Sequence, residues 1–149
     1  MKLHTATEVM SLAKRLESES ASFYRDMSRR YAREGDIFAA FARENEGNIV
    51  QIERAYYGVI TDAIEGGFAF EIESDDYTFE AMPEQNAPRP DALNKAISIE
   101  EKIQKFYTDA AGQSDTLMAD IPRAFRLVAK KRYSRINRLK ALLDRESPE

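Results

Sequence analysis

Apolar and small side chains recur along the start of the chain at Met10, Ala13, Ser20, Tyr24, Met27 and Tyr31, in helical steps. They are preceded by Thr5-Ala6-Thr7-Glu8, a capping box in which Thr5 caps the helix and Glu8 reaches back. Gly35 predicts the stop, and Asp36 predicts the cap of a second helix. The seam of that helix reads Phe38, Phe41, Asn45, Asn48, Ile52 and Ala55. The short link at Gly35 makes the two helices antiparallel neighbours. A third seam, Leu93, Ala96, Glu100, Ile103, Tyr107 and Ala110, follows Asp91 as cap and ends at Gly112. A fourth runs through Phe125, Val128, Arg132, Arg135, Leu139 and Leu142, opened by Asp120 and Pro122. The predicted helices cover about 5–33, 36–65, 91–111 and 120–146.

Between the second and third helices the helical period fails. In the segment of about 66–90, Phe68, Phe70 and Ile72 alternate, Tyr77 and Phe79 alternate, and Asp75-Asp76 lies between them. This predicts a small hairpin or an extended apolar strap, closed by three prolines. A second helix of about 28 residues is roughly 42 Å long, and a connection of about 24 residues reaches back along it. The third helix is therefore expected to start at the same end as the first. The fold class is all-α: a four-helix bundle made of two helical hairpins joined by one long crossover, as a single domain over residues 1–149.

The two hairpins read as a repeat. "AKRLESESASFY" aligns without gaps on "AISIEEKIQKFY", matching Ala13 with Ala96, Glu17 with Glu100 and Phe23-Tyr24 with Phe106-Tyr107. "FAAFARENEGNI" aligns on "FRLVAKKRYSRI", matching Phe38 with Phe125, Ala42 with Ala129 and Ile49 with Ile136. Six mid-bundle seam positions are polar: Glu17, Asn45, Asn48, Glu100, Arg132 and Arg135. Each half contributes one carboxylate from its first helix and two polar residues three apart from its second. Di-iron carboxylate bundles are laid out in this way, with Glu-x-x-His supplying the pair three apart.

On these residues the chain resembles the rubrerythrin-like branch of the ferritin superfamily. "ESESASFY" (17–24) and "EEKIQKFY" (100–107) resemble its E-x-E-A-x-x-F-Y pattern, each with the leading Glu, a metal ligand in the family, in place. "FAAFARENEGN" and "FRLVAKKRYSR" resemble its F-x-x-L-A-x-E-E-x-x-H pattern. The resemblance covers all four helices but not the crossover. It implies a ferritin-like bundle, a di-iron oxidoreductase of peroxidase type, and a homodimer.

The departures change what is expected. At the family's Glu-x-x-His positions stand Asn45 with Asn48, and Arg132 with Arg135. Two carboxylates and two amides beside two guanidiniums are not a di-iron ligand set, so no metal or other cofactor is expected. Bidentate pairing of Arg132 and Arg135 with Glu17 and Glu100 is expected instead, the amides and the hydroxyls of Tyr24 and Tyr107 satisfying what is left. The expected protein is a non-catalytic structural or interaction bundle. Two alternatives remain: a di-metal site shifted to Glu44, Glu46 and Glu53, which lie off the seam, and a small-anion site built on the two arginines. His4, the single histidine, lies before the first helix and is expected to be disordered.

Composition narrows the classes further. The chain has 149 residues, 43% hydrophobic and 32% charged, which fits one globular core. It has no cysteine, which removes disulfides, thiolate metal sites, cysteine nucleophiles and any rubredoxin-like cysteine set. No phosphate loop or nucleophile–base pair is present, and no apolar run approaches a membrane span. A cytoplasmic location is expected. The net charge of −4 is unevenly spread: residues 123–140 carry eight Lys/Arg and no acid, and residues 62–85 carry eight Asp/Glu and no base. Such blocks usually mark solvated faces, and without an interleaved aromatic platform nucleic acid is not the expected partner.

Overall fold

In a computed structural model that describes residues 1–59, 70–80, 86–114 and 120–145, four helices pack as an all-α bundle. They are α1 (Ala6–Arg30), α2 (Gly35–Val59), α3 (Arg89–Gln113) and α4 (Asp120–Asp144), each of 25 residues and so about 37 Å long. The predicted helical turns at 60–65 and at 146 lie outside the described residues. No helix among the described residues is long and apolar enough to cross a membrane.

The capping box forms as expected: the Thr5 side chain accepts from the Glu8 N–H, and Glu8 accepts from the Thr5 N–H at 3.1 Å. At the next boundary Gly35 is not a stop. A 3₁₀ turn, Ala32–Glu34, leads straight into α2, and Gly35 is its first residue, with ordinary right-handed φ of −54°. Asp36 accordingly sits in the first turn rather than at the cap, where its charge still favours the helix N-terminus. Glycine is needed at 35 for closeness: a Cβ there would lie 3.1 Å from the Ser28 carbonyl oxygen of α1.

α3 also begins earlier than its acidic residue suggested. Pro88 is the N-cap, extended at φ −60° and ψ 151°; Pro90 lies in the first turn, and Asp91 follows it there. Two prolines preset the backbone, so no Asp side chain is required as a cap. Gly112 stays helical and Ser114 closes the helix, its N–H reaching Ala110 O at 3.0 Å.

α1 and α2 run antiparallel, shown by Lys14–Glu53 at 2.9 Å and by Thr7–Tyr56 at 2.6 Å. α3 and α4 likewise pair Glu100 with Arg132 and Phe106 with Phe125. α2 also packs antiparallel on α4, through Asn48 and Gln51 against Lys131. α1 meets α3 through Tyr24–Glu100 and Tyr107–Glu17, again antiparallel.

The start of α3 corrects the expected topology. Arg89 bonds Glu34 at 2.7 Å and Tyr31 donates to Ala87 O at 2.5 Å, so α3 starts where α1 ends. The reason is directional. α2 brings the chain back to the beginning of α1, and a connection running back along the bundle must deliver it to the far end.

Among its described residues the crossover runs as an extended strap. Among the described residues its only strand, β2 (Ile72–Glu73), pairs antiparallel with β1 (Lys2–Leu3) ahead of α1. The strap then runs along α3: Glu71 with Gln113, Tyr77 OH to Asp109 at 2.6 Å, Lys102 to Thr78 O at 2.9 Å. From the two alternating runs Phe70, Ile72 and Tyr77 are buried and Phe79 is half-buried; Phe68 lies outside the described residues. The pairing also orders His4, contrary to expectation. Its carbonyl accepts from the Phe70 N–H at 3.1 Å and its Nδ1 lies 3.3 Å from Phe70 O.

Candidate functional site

Each of the six polar seam residues is buried, with at most 2% of its surface exposed. They converge because helical phase, not side-chain type, sets which face a position occupies. Arg132 of α4 is the centre. Its Nη1 donates to both oxygens of Glu100, at 2.9 and 2.7 Å, and its Nη2 lies 2.8 Å from Glu17 Oε1. One guanidinium thus spans carboxylates from α1 and α3.

Arg135, one turn on, lies nearer the α2 side. Its Nη1 donates to Asn45 Oδ1 at 2.8 Å and to Glu100 Oε2 at 3.3 Å, and its Nη2 pairs with Glu44. The guanidinium carbon stands 4.6 Å from the Phe41 ring centroid and 5.2 Å from that of Tyr24, a cation–π contact with each of two rings that meet edge to face. The amides complete the set. Asn48 Nδ2 donates to Glu17 Oε1 at 3.2 Å, and Asn45 Nδ2 donates to Ser20 Oγ at 2.9 Å.

The tyrosines cross between the halves. Tyr24 donates to Glu100 Oε2 at 2.5 Å, and Tyr107 donates to Glu17 Oε2 at 2.6 Å. Each glutamate therefore takes a hydroxyl from the other hairpin, beside its guanidinium.

Charge states follow from these contacts. Burial pushes the Glu100 carboxyl up, but Arg132, Arg135 and the Tyr24 hydroxyl more than reverse it, holding Glu100 below the usual carboxylate range. Burial and the Glu100 carboxylate push the Tyr24 hydroxyl well above its ordinary value; burial and Glu17 do the same for Tyr107. Burial opposes the charge on Arg132, yet Glu100 and Glu17 hold it more firmly protonated than a free guanidinium. The buried centre holds two carboxylates against two guanidiniums, and its formal charge is zero. Within this centre Nε of Arg132 and Nε of Arg135 have no hydrogen-bond partner.

The arrangement does not suit a di-iron centre. The oxygens of Glu17 and Glu100 already accept from guanidinium, amide and phenol, and the other four positions offer amides and cations. Among the described residues no three His, Cys, Asp or Glu side chains group as metal ligands. Glu44, Glu46 and Glu53, named for a shifted site, point to separate cations instead: Arg135, Arg25 and Lys14.

Sequence reasoning missed Ser20, Phe41 and Glu44 as members. Ser20 had been read as a small seam residue, though it accepts from both Asn45 and Arg132, the latter at 3.0 Å. Its place one turn after Glu17 was the available signal. Glu44 lies off the seam by phase, and only the length of its side chain brings it to Arg135. Comparison of the chain with protein families, with curated proteins and with solved structures gave no match.

Proposed function

We propose that this chain is a rubrerythrin-like member of the ferritin superfamily in which a Glu/Asn/Arg network occupies the place of the di-iron site. On this reading it is a duplicated helical hairpin that has exchanged redox chemistry for a fixed, metal-free core, and it serves as a structural or interaction protein. The observation that carries the proposal is Arg132 lying 2.7 Å from Glu100 and 2.8 Å from Glu17, the two residues that match the family's ligands. A metal would supply positive charge to those carboxylates. Arg132 and Arg135 supply it without one, and their hydrogen bonds fix the register of all four helices.

The alternative of a small-anion site has one observation in its favour, the partnerless Nε atoms of Arg132 and Arg135. The carboxylates already balance the guanidiniums, so an added anion would leave the buried centre negative. The metal-free reading is preferred on that charge balance.

The test is to restore the ligands. Asn45→Glu, Asn48→His, Arg132→Glu and Arg135→His together give, with Glu17 and Glu100, four carboxylates and two imidazoles. The quadruple variant should bind two divalent ions such as ferrous iron or manganese and melt higher with them, because the ions relieve carboxylate repulsion. The parent protein, purified and analysed for elements, should hold no stoichiometric metal. A folded variant whose melting temperature ignores metal, or a parent with about two tightly held metals per chain, overturns the proposal.

A further inference from the structure

α3 is bordered on its two sides by opposite charge. Lys102, Phe106, Asp109 and Gln113 meet the strap, which presents exposed Asp75, Asp76 and Glu80. On the other side lies α4, which has no acid between residues 121 and 143. α4 turns Lys131 and Arg135 toward α2. Helical phase therefore puts Arg126, Lys130, Tyr133, Asn137 and Lys140 on its opposite flank, beside α3, and all five are exposed.

Between these borders α3 itself is low. Its exposed row is Asn94, Ser98, Glu101, Lys105, Thr108 and Gly112, mostly short side chains. Tyr133, 55% exposed, stands at the edge of this row.

The opposite charges stand at matching heights. Arg132 is level with Glu100 and Phe125 with Phe106, and the two helices are antiparallel. Arg126 is therefore level with Lys105, Lys130 with Lys102 and Lys140 with Ala92. In the strap, Tyr77 lies on Phe106, Thr78 accepts from Lys102, and Asp76 is within coulombic reach of Lys105. Asp76 and Glu80 thus flank α3 near the heights of Arg126 and Lys130. Asp91, exposed in the first turn of α3, lies five turns before Asp109 and so on the same strap-facing side, at the height of Lys140.

A half-turn about an axis along α3 exchanges its two sides and keeps every height. The acids of one copy then fall on the cations of the other, whereas an axis across α3 would lay strap on strap. We propose that this face binds a second copy of the chain in an isologous two-fold dimer, with α3 parallel to its copy, Arg126 over the partner's Asp76, Lys130 over the partner's Glu80 and Lys140 over the partner's Asp91. Strap, α3 and α4 together span about 25 Å, and over about 35 Å of length they offer about 800 Å² per copy, the size of a standard specific interface. A polyanion fits this face less well, because the acids of the strap border it. The pairing uses surface residues alone and is independent of whether the core ever held metal.

The test is sedimentation equilibrium of the full chain at about 1–100 μM. A dimer should form at low salt and weaken at least tenfold between about 50 and about 500 mM salt, as its charge pairs are screened. Arg126→Glu with Lys130→Glu should leave a folded monomer, and so should Asp76→Lys with Glu80→Lys. Mixed one to one, these two variants should pair with each other, because each then meets the opposite sign on both borders. Asn94→Cys and Gly112→Cys, made singly in this cysteine-free chain, should each cross-link to their own copy through a short bis-maleimide. Antiparallel α3 helices would instead join position 94 to position 112, and that result overturns the proposal. A chain that stays monomeric at about 100 μM and low salt also overturns it. So does a dimer that survives either charge reversal, a failure of the two variants to pair, or growth into open polymers. Binding of polyglutamate or an oligonucleotide by a chain that stays monomeric overturns it too, and points to a polyanion as the partner.

Discussion

Tyr24 on α1 donates a 2.5 Å hydrogen bond to Glu100 on α3, 76 residues away in sequence. The bond ties the first hairpin to the second at a carboxylate that also holds Arg132 and Arg135. Tyr24→Phe keeps the ring and removes only the donor. It should cost about 1.5–3 kcal/mol, the usual range for a hydrogen bond to a charged group. Urea denaturation should show a lower midpoint with an unchanged slope. An unshifted midpoint would mean that this bond contributes nothing.

Removing one partner of the central pair should be worse than removing both. Arg132→Ala or Glu100→Ala leaves a buried charge uncompensated and should cost about 3–5 kcal/mol. Arg132→Met with Glu100→Leu should cost less than the sum, because two opposite charges leave together and Glu17 keeps its Asn48 and Tyr107 donors. A double-mutant cycle in chemical denaturation measures this coupling, and strict additivity would contradict the bridged geometry.

The network should make stability depend on pH at both extremes. The folded-state pKa of Glu100 lies below its unfolded value, so its contribution is complete above that value and declines as pH falls through the folded one. Glu100→Gln mimics the protonated form. The stability gap between parent and Glu100→Gln should therefore narrow below about pH 4; a gap that stays constant in acid contradicts the assignment. Tyr24 and Tyr107 have raised values, so their contribution is complete below about pH 10 and declines above it. Their tyrosinate absorbance should appear together with the loss of helical circular dichroism.

Three helical glycines should respond differently to alanine. Nothing lies within 4 Å of a Cβ built at Gly47 or Gly112, so Gly47→Ala and Gly112→Ala should each stabilise the protein. The gain is the helix propensity difference, about 0.8–1 kcal/mol. At Gly35 the Cβ would press on the Ser28 backbone oxygen at 3.1 Å, and that oxygen is fixed within α1. Gly35→Ala should be destabilising despite the same propensity gain. Thermal melts of the three variants give the signs directly.

Four helices and the inward-facing set of Glu17, Asn45, Asn48, Glu100, Arg132 and Arg135 were legible in the sequence. Both depend on helical period, which acts over one or two turns and is written locally. The Thr5–Glu8 capping box was legible for the same reason. Tertiary structure decided the rest. It made Gly35 a close-packing residue rather than a helix stop, because the approach of Ser28 is set by how two helices cross. It joined Lys2–Leu3 to Ile72–Glu73, a strand pair about 70 residues apart that no local pattern encodes. It placed α3 beside the end of α1, through Arg89 and Glu34, where chain direction rather than composition determines the end reached. It also chose the partners within the core. Tyr24 was visible as a seam residue, but its bond to Glu100 rather than to the nearer Glu17 depends on how two distant hairpins pack, and sequence spacing contains no term for that.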